Sequence, residues 1–209
     1  MDMSDAWLDD DQSPHHGIAL ALGLCFVTDC DSCRVVALDA NDLTERFSFG
    51  QAELNNPLGI AWRRGLLWVV DSGLGASGAS DGKLVAYSFE APGPLVAHVI
   101  EGVSFPVGVA AAHSSLYVTC RDERSLHVFC PEDYLAQGAR SRLDSVPHDV
   151  HQVPGDDDGA YHFYDLAVHP DLPLAVVKLN PDDTMAVFWS ADVLGCKNYH
   201  DTWQEISRR

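Results

Sequence analysis

Positive charge is the scarcest thing in this sequence. Its 209 residues hold 13 Lys and Arg against 31 Asp and Glu, a formal net charge of −18 at pH 7, and the lysines are only Lys83, Lys178 and Lys197. Proteins that hold nucleic acid neutralise phosphates with clustered Lys and Arg. Nucleic acid is therefore a poor partner for the chain as a whole, and so is an anionic membrane surface. Long apolar runs are missing too. Residues 17–28 (GIALALGLCFVT) fall short of the about 20 apolar residues that cross a bilayer. A secretory signal opens with positive charge. Here Asp2, Asp5, Asp9, Asp10 and Asp11 precede the run, and no Lys or Arg stands before Arg34. Residues 1–14 read as an acidic tail and 15–209 as one domain, with a cytoplasmic location as the expectation.

Catalytic signatures are equally scarce. There is no G-x-S-x-G nucleophile elbow, no G-x-x-x-x-G-K-[ST] phosphate loop, and no kinase or zincin motif. The sequence implies no cofactor. The six cysteines are Cys25, Cys30, Cys33, Cys120, Cys130 and Cys196. Cys30-Asp31-Ser32-Cys33 has C-x-x-C spacing, yet no second C-x-x-C or H-x3-5-H follows at zinc-finger distance. A thioredoxin-like redox pair calls for a βαβ setting, and the surroundings read as strand, turn, strand. The two thiols are expected to lie in a hairpin turn.

What is present is a core and a repeat. The hydrophobic fraction is 46% with five Trp, enough apolar surface to drive folding. Three segments align: GIALALGLCFVTD at 17–29, GIAWRRGLLWVVD at 59–71 and GVAAAHSSLYVTC at 108–120. A second element follows each: RVVALD at 34–39, KLVAYSF at 83–89 and SLHVFC at 125–130. Gly17 to Gly59 and Asp29 to Asp71 are both 42 positions, while Gly59 to Gly108 and Asp71 to Cys120 are both 49. For the second element the order inverts, with Arg34 to Lys83 at 49 and Lys83 to Ser125 at 42. One event explains all six offsets. The period is 42, and the second unit carries seven extra residues between Asp71 and Lys83, in the Gly/Ser-rich stretch SGLGASGASDG. DLAVHPDLPLAVVKL at 165–179 with MAVFW at 185–189 forms a weaker fourth unit.

The segments are short, rich in Val, Leu, Tyr, Phe and Trp, and punctuated by Gly, Pro, Asp and Ser, which reads as β-strand. No long window has helical periodicity. A unit of about 42 residues holding four short strands is the blade of a β-propeller. The expected fold is all-β: a propeller of about four four-stranded blades, either a small closed ring or an incomplete one. Strands are expected near 17–21, 24–28 and 34–38, with equivalents one period on. A closing strand would have to come from 196–206 or from Ala6-Trp7-Leu8.

Pro57-Leu58-Gly59-Ile60-Ala61, then Leu67-Trp68-Val69-Val70-Asp71-Ser72, then Lys83-Leu84-Val85-Ala86-Tyr87 resembles one NHL repeat. Pro106-Val107-Gly108-Val109-Ala110 with Leu116-Tyr117-Val118-Thr119 resembles its first half again, and His16-Gly17-Ile18-Ala19 with Phe26-Val27-Thr28-Asp29 and Arg34-Val35-Val36 does so without the Pro. The sequence departs from the pattern at Cys120, where Asp is lost, and in the fourth unit. The resemblance covers roughly residues 16–189 and implies a propeller. NHL-type rings usually have six blades, which need about 250 residues. The resemblance also brings to mind propeller hydrolases and lyases, lactonase-like or amidating, that use His, Asp, Glu or Asn at the channel mouth.

The repeated residues have physical reasons. Pro sets the turn into the first strand. Gly17, Gly59 and Gly108 allow close approach where blades crowd the axis. Asp29 and Asp71 end a strand, where a carboxylate caps the backbone of the turn. In an antiparallel meander of strands A to D, the B–C and D–A connections share one face. The two longest insertions, 72–82 and about 147–164, are expected there, and long loops on a rigid scaffold are where binding concentrates. The candidate binding residues are Asp71, Ser72, His148, His151 and His162. The three histidines, near Asp156-Asp157-Asp158-Gly159, are also the candidates for a divalent metal under the hydrolase or lyase reading. The favoured reading is a binding or scaffold module that presents its loop face to a protein or peptide. The acidic surface points to a basic partner, and an open ring points to self-association through its exposed blade.

Overall fold

Each short apolar run becomes a strand, because Gly, Asp or Asn at its ends lets the chain turn back on itself. The computed structural model describes residues 17–73, 82–90, 93–112, 115–121, 125–129, 143–144, 149–152, 162–168, 174–180 and 185–189. The first sheet is an antiparallel meander of β1 (Ile18–Ala21), β2 (Leu24–Asp29), β3 (Arg34–Asp39) and β4 (Glu45–Phe49). The second repeats it with β5 (Pro57–Arg63), β6 (Leu66–Asp71), β7 (Lys83–Ser88) and β8 (Leu95–Glu101). In the third, β9 (Pro106–Ala112), β10 (Ser115–Cys120) and β11 (Ser125–Phe129) are followed by β12 (Leu143–Asp144), which leaves the sheet, and by β13 (Asp149–Gln152), which completes it. The fourth holds β14 (His162–Val168), β15 (Leu174–Asn180) and β16 (Met185–Trp189). No helix occurs among the described residues.

The A–B turn shows how locally the repeat is encoded. Leu22 and Gly23 have φ of 54° and 72°, and Arg64 and Gly65, one period on, have 46° and 80°. Two consecutive residues with positive φ make the two-residue hairpin whose twist suits paired strands. Register repeats as well. Asp29 pairs with Arg34, Asp71 with Lys83 and Cys120 with Ser125 across their hairpins. The second hairpin accommodates the seven-residue insertion without shifting this pairing.

The first strands of the four sheets are neighbours, β1 beside β5, β5 beside β9 and β9 beside β14. They form the inner rim, and the last strands form the outer one. Burial follows. Leu67 and Val69 join Phe26, Val35, Ala37 and Phe49 in the core between the first two blades. Trp68 and Val70, their alternates on β6, join Leu116, Val118 and Phe129 between the second and third. A strand buried on both faces needs apolar residues at every position, hence the run LLWVV. Each fully buried side chain of this size contributes about 1.5–3 kcal/mol of transfer free energy. Phe49 meets Tyr87 edge-on at 4.9 Å between centroids, which adds about 0.5–1.5 kcal/mol beyond area.

Among the described residues, one face of the first blade is less covered than the other, although Cys25 on that face is buried. Ile18, Val27 and Val36 align across its sheet, as do Leu20, Cys25 and Leu38. Ile18 is 65% exposed and Leu20 70% exposed. Among the described strands, β14 packs along β9, and only β2 and β5 pack along β1. The described sheets form an arc, not a closed ring. Residues 1–16 and 190–209, which include both candidate closing segments, lie outside the described residues.

The structure moves one boundary. The stretch expected to form a D–A loop contains β13, paired with β11 through Leu126 and His151. The long excursion is therefore the C–D connection, residues 130–148, and only 153–161 remain between β13 and β14. In a meander the C–D connection emerges on the face opposite the B–C loop, so the two longest insertions do not share a face. Asp149-Val150-His151-Gln152 is short and polar, as an outer strand exposed on one side can be. That is why the apolar pattern missed it. β12 pairs in parallel with Ile100 and Glu101 of β8, carrying the third blade's chain back to the rim of the second.

Candidate functional site

Asp71 ends β6 and is wholly buried. Its Oδ1 accepts from the backbone N–H of Asn56 at 2.8 Å and of Gly73 at 3.2 Å, and its Oδ2 accepts from that of Asn55 at 3.0 Å. Lys83 Nζ stands 3.4 Å from Oδ2. Ser72, equally buried, donates its N–H to the Asn56 carbonyl at 3.0 Å and accepts from Asn56 Nδ2 at 2.7 Å. One carboxylate thus binds the connection entering the blade to the B–C loop leaving β6. This juxtaposition places the D–A and B–C connections on one face, as the topology requires. Asp71 and Ser72 act here as the anchor of the loop face.

The first blade makes a lighter version. Asp29 Oδ1 accepts from Ser32 N–H at 3.1 Å, and Oδ2 accepts from Arg34 Nε at 2.9 Å. Partial burial of Asp29 raises its pKa, but the bonds from Arg34 and Ser32 outweigh that and hold the carboxyl below its usual value. Cys30 and Cys33 lie in the hairpin turn between β2 and β3, both unoxidised. Cys33 Sγ donates to the Asn55 carbonyl at 2.8 Å. Burial, with the Asp31 carboxylate beside it, pushes the Cys30 thiol up, the opposite of what activates a thiolate. Cys130 and Cys196 lie outside the described residues.

Two threonines do work that the sequence reading missed. Thr28 Oγ1 accepts from Gly17 N–H at 2.7 Å and donates to the Leu58 carbonyl at 2.7 Å. It ties the first blade to the second near the axis. Thr119 repeats part of this, accepting from Gly108 N–H at 2.9 Å. The signal was visible as the alternation of Thr, Val and Thr at positions 28, 70 and 119. Thr28→Val, which copies Val70, should cost about 0.5–1.5 kcal/mol, the net worth of a hydrogen bond, because the Gly17 N–H and the Leu58 carbonyl keep their bond to each other at 3.1 Å. Urea denaturation measures this, and an unchanged midpoint would assign the bridge no weight.

Of the three candidate histidines, His151 and His162 lie on the described backbone. His148 lies outside the described residues. His151 sits on β13, the outermost strand of the third sheet, and His162 opens β14, the innermost strand of the fourth. The fold puts them at opposite radial ends of neighbouring blades. Among the described residues no group of three His, Cys, Asp or Glu is arranged to hold a metal ion. Asp156, Asp157 and Asp158 lie outside them.

A cleft of about 620 Å³ opens at the outer edge of the wedge between the first two blades, walled by Phe49, Tyr87, Val96 and Val99 and rimmed by Glu53 and Glu101. No pattern in the sequence pointed to it, because its walls come from two repeats.

No protein-family model and no curated protein matches the chain. Solved structures match its shape. The β-propeller domain of Cps50 (Swd1) from Myceliophteria thermophila aligns with a TM-score of 0.60 at 8% identity, over 90% of this chain and 56% of that one. Hsv2 of Kluyveromyces lactis aligns with a TM-score of 0.54 at 11% identity, over 88% of this chain and 51% of that one. The computationally designed Ika4 protein aligns with a TM-score of 0.52 at 10% identity, over 86% of this chain and 94% of its own. At such identities the likeness is one of fold, and the fold is a β-propeller. The chain spans about half the length of the first two structures.

Proposed function

We propose that this propeller arc is a protein-binding module of NHL-like type, working in the cytoplasm. The observation that carries the reading is the less covered apolar face of the first blade, with Ile18 and Leu20 more than half exposed. In the interior of the arc the corresponding faces are buried against the next blade. An apolar face shaped to receive a blade suits a protein surface. A second copy of the chain is the simplest source, since each copy brings a face of the same architecture. The loop face is a second contact region, with Asp71 and Ser72 holding its B–C loop in place and His151 and His162 standing at the ends of β13 and β14 that flank the D–A connection. His148 precedes β13 in sequence and belongs with the C–D connection. The net charge of −18 favours a basic partner there.

Sedimentation equilibrium tests the apolar face. The pure chain should associate with increasing concentration, and Leu20→Lys should abolish association while leaving the β-rich far-UV spectrum unchanged. A strictly monomeric chain at high micromolar concentration, with Ile18 and Leu20 methyls shielded from a soluble paramagnetic probe, would show that the chain covers this face itself and would end the reading.

A further inference from the structure

Tyr87 lies on the floor of the cleft between the first two blades and is 2% exposed. Its ring is held edge-on by Phe49, so the hydroxyl has a fixed position. That oxygen is buried and meets no hydrogen-bond partner among the described residues. Buried polar groups are rarely left so, and one that is marks a place where a partner is missing. Burial, with the Glu53 and Asp71 carboxylates nearby, pushes the phenol well above its usual pKa, which keeps it a neutral O–H.

The surroundings state what the partner should be. Phe49, Val96 and Val99 make apolar walls, Glu53 and Glu101 stand at the rim, and no Lys or Arg is among the described lining residues. Gly50, at φ 96°, lets the backbone pass beside the Tyr87 oxygen, where a Cβ would stand 3.2 Å from that oxygen and 2.6 Å from Leu54 Cδ1, so Leu54 has to shift for a partner to reach the hydroxyl. An apolar shaft with the exposed Glu53 carboxylate at its mouth and an unpartnered oxygen at its floor complements an aliphatic stem that ends in a cation. Among the described residues, the outer side of β8 is unpaired along Leu95–Val99. β12 already adds to it in parallel at Ile100 and Glu101, and Leu95 beside the cleft is 54% exposed. This edge accepts extended chain.

We infer that the cleft between the first two blades is a binding site for a lysine or arginine side chain carried on an extended peptide segment that lies along β8 at Leu95–Val99. The site is separate from the apolar face of the first blade and stands whether or not that face is covered.

The test is an NMR titration of the full chain with capped peptides of alternating valine and lysine, against the same peptides with norleucine in place of lysine. The lysine peptide should shift the Val96 and Val99 amides, and the norleucine peptide should not. Glu53→Gln should weaken binding and reduce its salt dependence. Tyr87→Phe should weaken it about tenfold, the size of one hydrogen bond to a charged group, without lowering the melting temperature. Equal shifts from both peptides, or shifts confined to other residues, would overturn the inference. So would binding that emerges only in an Arg140→Gln, Arg142→Gln variant. Those two arginines precede β12 in the sequence, and that result would mean the chain's own side chain occupies the cleft.

Discussion

Gly59→Val is expected to lower the free energy of unfolding by about 3 kcal/mol or more, among the larger effects a single substitution produces. Valine is otherwise a favoured strand residue, so conformation does not explain the loss. The cause is distance. A Cβ at position 59 would stand 2.7 Å from Val109 N, 2.8 Å from Val107 O and 2.9 Å from Gly108 Cα. All three are backbone atoms of the next blade and cannot rotate away. Gly17 meets the second blade in the same way, 2.6 Å from Leu58 O and 2.8 Å from Ile60 N. Gly17 and Gly59 therefore mark where inner strands of successive repeats converge, and a side chain at either wedges two blades apart. Gly93 is the control, because a Cβ there meets nothing within 4 Å, and Gly93→Ala should change stability by less than about 0.5 kcal/mol. Chemical denaturation distinguishes the two. A Gly59→Val protein as stable as the parent would show that the blades are not packed at this distance.

Asp71→Ala should cost about 3–5 kcal/mol, the loss typical of breaking a buried charge pair from one side. The substitution leaves three backbone N–H groups without their acceptor and Lys83 without its counter-charge. Asp29→Ala, at the equivalent position, should cost about 1 kcal/mol or less. There the pair is formed by side chains that are 24% and 30% exposed, and water replaces most of what is lost. Parallel denaturation curves of the two variants give the comparison directly. Equal losses would show that burial does not separate the two sites.

Much of the blade was legible because hairpins are local. Asp29 and Arg34, or Asp71 and Lys83, meet across a single turn, so their spacing in the chain reports their pairing in space. The seven-residue insertion could be placed between them for the same reason. The third blade was read less well. Its outer strand follows a long excursion, and Asp149-Val150-His151-Gln152 lacks the apolar run that identifies a strand buried on both faces. His151 therefore looked like a loop residue beside His162, and the sheet topology parts them. Asp71 and Ser72 were correctly located at the B–C turn, but that they are buried depends on Asn55 and Asn56 of the preceding connection, which no spacing rule ties to them.

By itself the sequence determined the period of 42, the all-β class, the first three strands of each of the first two blades and the glycines at the blade junctions, since each rests on contacts within one hairpin or on a pattern repeated three times. The outer strands β4 and β8 carried no such pattern. Tertiary structure alone decided that the described sheets form an arc with Ile18 and Leu20 exposed, that β12 reaches back to β8, and that Glu53, Tyr87 and Val99 line one cleft. These features join residues from different repeats. Their meeting depends on how whole sheets pack about the axis, and sheet packing is set by the summed burial of both faces and not by any local order of residues.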